Sequence, residues 1–90
     1  MLDREFMVLL SSFRRLLRRK ATNAVKKMIR KTRPVDLASI FRSFTDHERR
    51  QIFELIEDVH YKAELIAELD DDIFDELLAN YDIDKIKDIV

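Results

Sequence analysis

In the first third of the chain, apolar residues recur at steps of three and four, which places them on one side of an α-helix. These positions are Leu2, Phe6, Leu9, Leu10, Phe13, Leu16, Leu17, Ala21, Ala24, Val25, Met28 and Ile29. Basic residues fall mostly on the other side. We predict one long basic amphipathic helix over residues 3–31, about 40–45 Å in length at 1.5 Å per residue. A break is the alternative, because Thr22 can cap a second helix that begins near Asn23.

Pro34 ends this segment, because the residue before a proline avoids the α conformation and proline itself suits a first helical turn. The chain therefore divides into a basic helix over residues 1–33 and a second segment over residues 34–90. Ninety residues form a single domain, since a chain of this length cannot divide into two good cores.

The second segment repeats a short pattern in which an apolar residue precedes polar, mostly acidic ones. The repeats are Phe44-Thr45-Asp46, Ile56-Glu57-Asp58, Leu69-Asp70-Asp71 and Tyr81-Asp82-Ile83. Each resembles a helix start, and Thr45 with Glu48 fits a capping box. The predicted helices cover residues 35–43, 46–55, 59–67, 71–79 and 83–89. Helices this short are marginal alone, so we expect an all-α fold in which they form a right-handed stack, an α-solenoid.

Composition supports the all-α class, because the chain has no Gly and one Pro, which leaves hairpin turns without their usual residues. The absence of Cys excludes disulfides and thiolate metal sites. No apolar run is long enough for a spanning helix or a signal peptide, so we expect a cytosolic chain. The net charge of −1 conceals an asymmetry, with +9 over residues 1–33 and −10 over residues 34–90.

Two stretches of the second segment resemble the opening of the N domains of MgtE-type magnesium transporters: a Pro, an Asp-Leu-Ala step, and a short turn to a Glu-Arg helix start. They read Pro34-Val35-Asp36-Leu37-Ala38-Ser39-Ile40-Phe41 and Phe44-Thr45-Asp46-His47-Glu48-Arg49, and Ala63-Glu64-Leu65-Ile66-Ala67-Glu68-Leu69-Asp70 with Asp75-Glu76-Leu77-Leu78 continues them. The resemblance covers residues 33–90. More distantly, these helices are similar to repeats of the flagellar switch protein FliG.

The resemblance implies a regulatory or docking role without catalysis. In that family the N domain precedes paired cystathionine-β-synthase domains and a membrane channel, and its acidic surface gathers Mg²⁺ to hold the channel closed. The implied partners are therefore such a domain pair or a membrane domain. Our main hypothesis is a non-enzymatic regulatory module of this kind. The alternative is a structural scaffold, FliG-like or membrane-peripheral, without an ion response.

Carboxylates are densest where the fourth predicted helix of the second segment begins. The candidate metal ligands are Asp70, Asp71, Asp72, Asp75 and Glu76. Mg²⁺ uses one or two carboxylates and keeps several waters, so this cluster could hold it weakly at a surface shared with a partner. The competing interpretation is that the acids only cap and solvate the helix start. We expect no tightly bound cofactor.

Catalytic and zinc-binding patterns are missing from the sequence. His47 and His60 each lack a second His or Cys at ligand spacing. The serines lie on helical patterns without a nucleophile elbow, and a glycine-rich phosphate loop needs glycine. We therefore predict that the chain is not an enzyme.

The basic helix has three interpretations, with candidate interaction residues Arg14, Arg15, Arg18 and Arg19. It can pack near the acidic remainder, within one chain or in an exchanged homodimer. It can lie on a membrane surface, as basic amphipathic helices do. Nucleic acid is the least favoured partner, since the acidic remainder repels phosphate. A single long helix exceeds what five short helices can cover, so we expect a homodimer through this helix.

Overall fold

The computed structural model describes residues 4–79 of the chain, and this part folds into six α-helices. They are α1 (Arg4–Arg18), α2 (Thr22–Lys31), α3 (Pro34–Phe41), α4 (Asp46–Leu55), α5 (Val59–Glu68) and α6 (Asp71–Ala79). Residues 4–79 contain no strand, and the predicted all-α class is confirmed. The predicted helix over residues 83–89 lies outside the described residues.

The prediction of one long helix over residues 3–31 is wrong, because α1 ends at Arg18 and α2 begins at Thr22. The N–H of Ala21 donates to the carbonyl of Leu16 at 3.0 Å, and the N–H of Lys20 donates to the carbonyl of Leu17 at 3.1 Å. This pair of bonds is a Schellman motif, which requires a left-handed residue after the helix. Lys20 is that residue, with a φ of 56°.

The predicted alternative, a break near Thr22, has the correct position, but Thr22 is not the residue that caps the second helix. Ala21 is the N-cap residue of α2, and it makes no side-chain capping bond at this start. Lysine occupies the position at which glycine usually ends a helix, so the sequence carries no stop signal there. The break therefore depends on how the two apolar faces pack.

The helices of the second segment start as their cap residues predict. Pro34 occupies the first turn of α3 after an extended Arg33. Thr45 and Glu48 form both bonds of the predicted capping box at the start of α4. The carboxylate of Asp58 accepts the N–H of His60 at 2.9 Å and caps α5. The four described helices of this segment match the predicted ranges closely, and for α3, α4 and α5 these local features explain the match.

One hydrophobic core takes residues from all six helices. Its members are Leu10, Phe13, Val25, Ile29, Leu37, Ala38, Ile40, Phe41, Phe44, Ile52, Phe53, Ile56, Leu65, Ile73 and Leu77. Phe44 is central to it, since its ring meets those of Phe13 and Phe41 edge to face at centroid distances of 6.2 and 6.0 Å. Such contacts add to the stabilisation from buried area.

Within residues 4–79, the apolar stripe of the basic segment is therefore buried or partly buried against the core of the same chain. Phe13 of α1 and Val25 of α2 are almost fully inaccessible to solvent. Because α2 folds back on α1, the basic segment is about half as long as a single helix would be, and the remaining helices can cover its apolar side. The argument for a homodimer from the length of the helix no longer applies, and the homodimer itself stays a prediction.

Helices α3 and α5 lie side by side and run parallel. At their first turns, the hydroxyl of Tyr61 donates to the carbonyl of Thr32 at 2.6 Å. Beyond their last turns, the guanidinium of Arg42 contacts the carboxylate of Asp70 at 2.8 Å. Helix α4 packs against α1, α2 and α6. The right-handed α-solenoid stack stays a prediction.

Within residues 4–79, no helix combines the length and apolar character that crossing a lipid bilayer requires.

Replacing Lys20 by Gly should raise the free energy of unfolding by about 0.5–1 kcal/mol, or roughly 3–6 °C in Tm. Glycine removes the steric cost of the left-handed conformation. Part of this gain in stability is offset, because glycine has more conformational entropy to lose when the chain folds. Urea and thermal unfolding followed by circular dichroism would measure the change. Lys20→Ala is the control, since it removes the charge and keeps the steric cost. Equal stability of the two variants would show that the turn is not strained.

Tyr61 should make the domain sensitive to alkaline pH. Burial, with a smaller effect of the Asp36 charge, raises the pKa of Tyr61 to about 12, whereas an unfolded tyrosine titrates near 10. The folded state therefore favours the neutral phenol. Its contribution to stability is complete below about pH 10 and is lost as the pH rises towards 12.

Urea unfolding at a series of pH values from 8 to about 11.5 would test this. Tyr61→Phe removes the titrating group, so the free energy of unfolding should decline less above about pH 10 in this variant. It should also cost about 1–3 kcal/mol at pH 8, since the carbonyl of the buried Thr32 loses its partner. Tyr81→Phe, which keeps Tyr61 and the same lysines, is the control. An unchanged pH profile in Tyr61→Phe would contradict the assignment.

Candidate functional site

The predicted acidic cluster lies at the start of α6. Asp71 and Asp72 occupy its first turn, and the carbonyl of Asp70 accepts the N–H of Phe74 at 2.9 Å. Ile73 and Leu77 are buried and fix the side of the helix that faces the core. Because of this anchoring, acids at the other positions face outwards or lie along the edge of the helix.

The structure divides the five candidate carboxylates into two groups. Asp71, Asp72 and Asp75 are exposed. Asp70 pairs with Arg42, directly after α3, at 2.8 Å, and Glu76 pairs with Arg49 of α4 at 2.9 Å. These four paired residues line an open groove of about 500 Å³ together with Asp72 and Ile73. Two of the predicted ligands are thus already neutralised within the chain.

Arg49 is the best-connected side chain of this surface, and only 11% of its side chain is exposed. Its Nη1 donates to the carbonyls of Phe41 and Phe44, both at 2.8 Å. Its Nη2 donates to Asp46 at 2.7 Å and to Glu76 at 2.9 Å. One guanidinium therefore caps the end of α3 and joins α4 to α6. Sequence reasoning missed this role, because no spacing rule relates Arg49 to Glu76.

Asp46 and Glu76 also bond to each other across Arg49. This bond, and then the bond from Arg49, lowers the pKa of Asp46. The same bond, and then burial, raises the pKa of Glu76. When the pair takes up a proton, Glu76 carries it and donates to Asp46. Glu76 is therefore committed to contacts inside the chain in both protonation states.

No three His, Asp or Glu side chains among residues 4–79 converge on a point where they could share a metal ion. The exposed Asp71, Asp72 and Asp75 have the chemistry for Mg²⁺ held through water or shared with a partner, since this ion keeps much of its hydration shell. Magnesium binding at the five predicted residues stays a prediction.

The four predicted interaction arginines do not act as one group. Arg14 is half-buried, donates to Glu48 at 3.2 Å and to the carbonyl of Ser43, and lies 5.8 Å from the ring centre of Phe44. Arg15, Arg18 and Arg19 are exposed. A signal for this difference exists in the sequence: Arg14 follows Leu10 by four residues and precedes Leu17 by three, which puts it on the edge of the apolar stripe.

A second set of ion pairs joins α2 to the turn between α4 and α5. Lys26 and Arg30 contact the carboxylate of Glu57 at 3.6 and 3.4 Å. Together with the pair between Arg14 and Glu48, they place the basic helices against acids of the same chain. This is the intramolecular form of the first interpretation of the basic segment. These contacts do not test membrane or nucleic-acid binding.

The six short helices define a small all-helical domain. A family model described as the MgtE intracellular N domain matches residues 32–90, and the chain belongs to this family. Its members are non-catalytic helical domains. The predicted resemblance over residues 33–90 is confirmed, and α1 with nearly all of α2 lies outside the match. No curated protein and no solved structure gives a match.

Replacing Arg49 by Ala should lower the free energy of unfolding by about 2–3 kcal/mol, because two main-chain carbonyls and two carboxylates lose a largely buried partner. Arg42→Ala is the matched control. Its side chain is 67% exposed, so its loss should cost under about 1 kcal/mol. Urea unfolding of both variants gives the comparison. Equal losses would show that Arg49 does not hold the helices together.

Proposed function

We propose that the chain is a regulatory module that docks on a partner domain through the start of α6, and that Mg²⁺ binds weakly at this surface. Family membership supports the regulatory role. The observation that carries the proposal is the exposure of Asp71, Asp72 and Asp75 on a helix whose other side is anchored in the core. The family description calls the domain intracellular, and we propose that it acts in the cytoplasm.

In this proposal, Mg²⁺ promotes docking because it offsets the repulsion between carboxylates at the two surfaces. Asp71 and Asp72 lie in the first turn of α6, near the positive end of its dipole, where acidic side chains stabilise the helix. An acidic or main-chain-rich partner surface would be repelled by these carboxylates until a divalent cation lies between them. A hydrated Mg²⁺ can bridge the two surfaces through water without a preformed cage. Binding of the ion and of the partner then strengthen each other by the same factor.

Arg42 and Arg49 have a positioning role in this scheme. They neutralise Asp70 and Glu76, which reduces the repulsion that α6 would otherwise experience from its own acids. They also hold α6 against α3 and α4, so the exposed carboxylates project from a fixed helix. In the transporters that the chain resembles, the partners are paired cystathionine-β-synthase domains and a membrane domain, and we propose a partner of that kind.

A scaffold without an ion response is the second candidate. The pairing of Asp70 with Arg42 and of Glu76 with Arg49 favours it, because carboxylates bound to arginine are unavailable to a metal. In this alternative, the acids of α6 only cap the helix and keep the surface soluble. Protein contacts alone would then determine the partner.

Titration with MgCl₂, followed by backbone amide shifts in NMR, separates the two candidates. We expect saturable shifts centred on residues 70–76, with a dissociation constant on the order of millimolar. A parallel NaCl titration at matched ionic strength removes the contribution of screening. Identical diffuse shifts in both titrations would remove the ion response and favour the scaffold.

A pair of charge-matched variants assigns the shifts to particular residues. The triple change Asp71→Asn, Asp72→Asn and Asp75→Asn should abolish saturation. The control is Glu5→Gln, Glu54→Gln and Glu64→Gln, which removes three exposed carboxylates elsewhere and should leave saturation intact. A response that survives the first triple change would place the ion at another site.

A further inference from the structure

The outer face of α1 points away from the core and has an unusual composition. At 100° per residue, five side chains of α1 share this face, namely Arg4, Met7, Val8, Arg15 and Arg18, and Arg19 continues it directly after the last residue of the helix. All six are exposed, with Met7 and Val8 at 45% and 59%. The small side chains of Ser11 and Ser12 lie between them and leave a shallow depression of about 230 Å³. The face therefore combines an apolar patch with a row of arginines.

Other parts of the described chain leave these arginines unpaired. Within residues 4–79, the ion pairs engage Arg14, Lys26, Arg30, Arg33, Arg42 and Arg49. None of them uses Arg4, Arg15, Arg18 or Arg19. The one acid of α1 is Glu5 in its first turn. Solvated helix faces usually mix charges of both signs, so a face whose charges are all positive favours an anionic partner.

We infer that the outer face of α1 binds an anionic phospholipid surface, with Met7 and Val8 at the boundary between headgroups and acyl chains. Arginine side chains pair well with lipid phosphate and carboxylate groups. A helix of 15 residues presents a row of about 22 Å, long enough to reach several headgroups. The apolar pair distinguishes a lipid surface from a polymer of phosphates, which offers exposed apolar side chains nothing to contact.

Arg14 is half-buried and does not belong to this face. Arg14 is committed to Glu48 and Phe44, so the lipid contact falls to Arg4, Arg15, Arg18 and Arg19. Helix α1 lies outside residues 32–90, which match the family. The inference therefore does not depend on the function proposed for α6, and either can fail alone.

Binding should be reversible and dependent on salt. Two apolar side chains insert little surface, and each arginine near an anionic membrane contributes roughly a fivefold gain in affinity. Co-sedimentation with phosphatidylcholine vesicles that contain roughly 30% phosphatidylserine should detect it at low ionic strength. Vesicles of phosphatidylcholine alone should leave the protein in the supernatant. Equal binding to both, or to neither, would overturn the inference.

A charge-matched pair of variants tests the face itself. The change of Arg4, Arg15, Arg18 and Arg19 to Gln should weaken vesicle binding by roughly six hundredfold, since four contributions of about fivefold each are lost. The control changes Lys27, Arg30, Lys31 and Arg33 to Gln, which removes the same charge from other exposed positions, and should bind nearly as the unaltered chain does. Circular dichroism confirms that both variants fold. Equal losses would reduce the effect to net charge and overturn the proposed face.

A single tryptophan reports on contact with lipid, because the chain contains none. Met7→Trp should shift its emission to the blue on addition of anionic vesicles. Val59→Trp, at a side chain that is 50% exposed on α5, should keep its emission. Inorganic phosphate should not displace the protein. No shift at position 7, or tighter binding to duplex DNA at equal phosphate concentration, would overturn the lipid assignment.

Discussion

The guanidinium of Arg49 connects the short helices that sequence alone leaves separate. It presents its donors in a fixed plane, so it can satisfy two carbonyls at the end of α3 while holding acids of α4 and α6. A helix of eight to ten residues is marginal by itself. The exposed carboxylates of α6 project from a fixed surface because this contact fixes α6 relative to α3 and α4.

Charge and apolar packing act in the same direction at the junction between the basic and acidic segments. Phe13 contacts Phe44 inside the core, and Arg14 next to it reaches Glu48 at the surface. Glu48 also closes the capping box with Thr45, so one carboxylate serves both the start of α4 and the attachment of α1. The charge asymmetry of the sequence thus becomes a set of short contacts. Arg4, Arg15, Arg18 and Arg19, which take part in none of the ion pairs within residues 4–79, lie on the side of α1 that faces away from the core.

The features that could be predicted from the sequence are those determined by residues close together in the chain. Thr45 and Glu48 are three residues apart, and Pro34 constrains the residue before it, so the starts of α3 and α4 follow from local bonding. Contacts between distant residues could not be predicted this way. Arg49 and Glu76 are 27 residues apart, and nothing in their spacing relates them. Of the candidate site, the location and exposure of Asp71, Asp72 and Asp75 were predictable, while the pairing of Asp70 and Glu76 was not.

Because of the tight turn at Lys20, α1 and α2 both contribute residues to the hydrophobic core. The core therefore includes residues that lie before the family match. Val25 and Ile29 complete the packing around helices that begin at Pro34, although the family match begins only at residue 32. A boundary drawn from homology would therefore cut through a continuous interior. In this chain, the boundary of the homologous segment and the boundary of the folded domain fall at different residues. The homologous segment alone lacks the core side chains that α1 and nearly all of α2 supply.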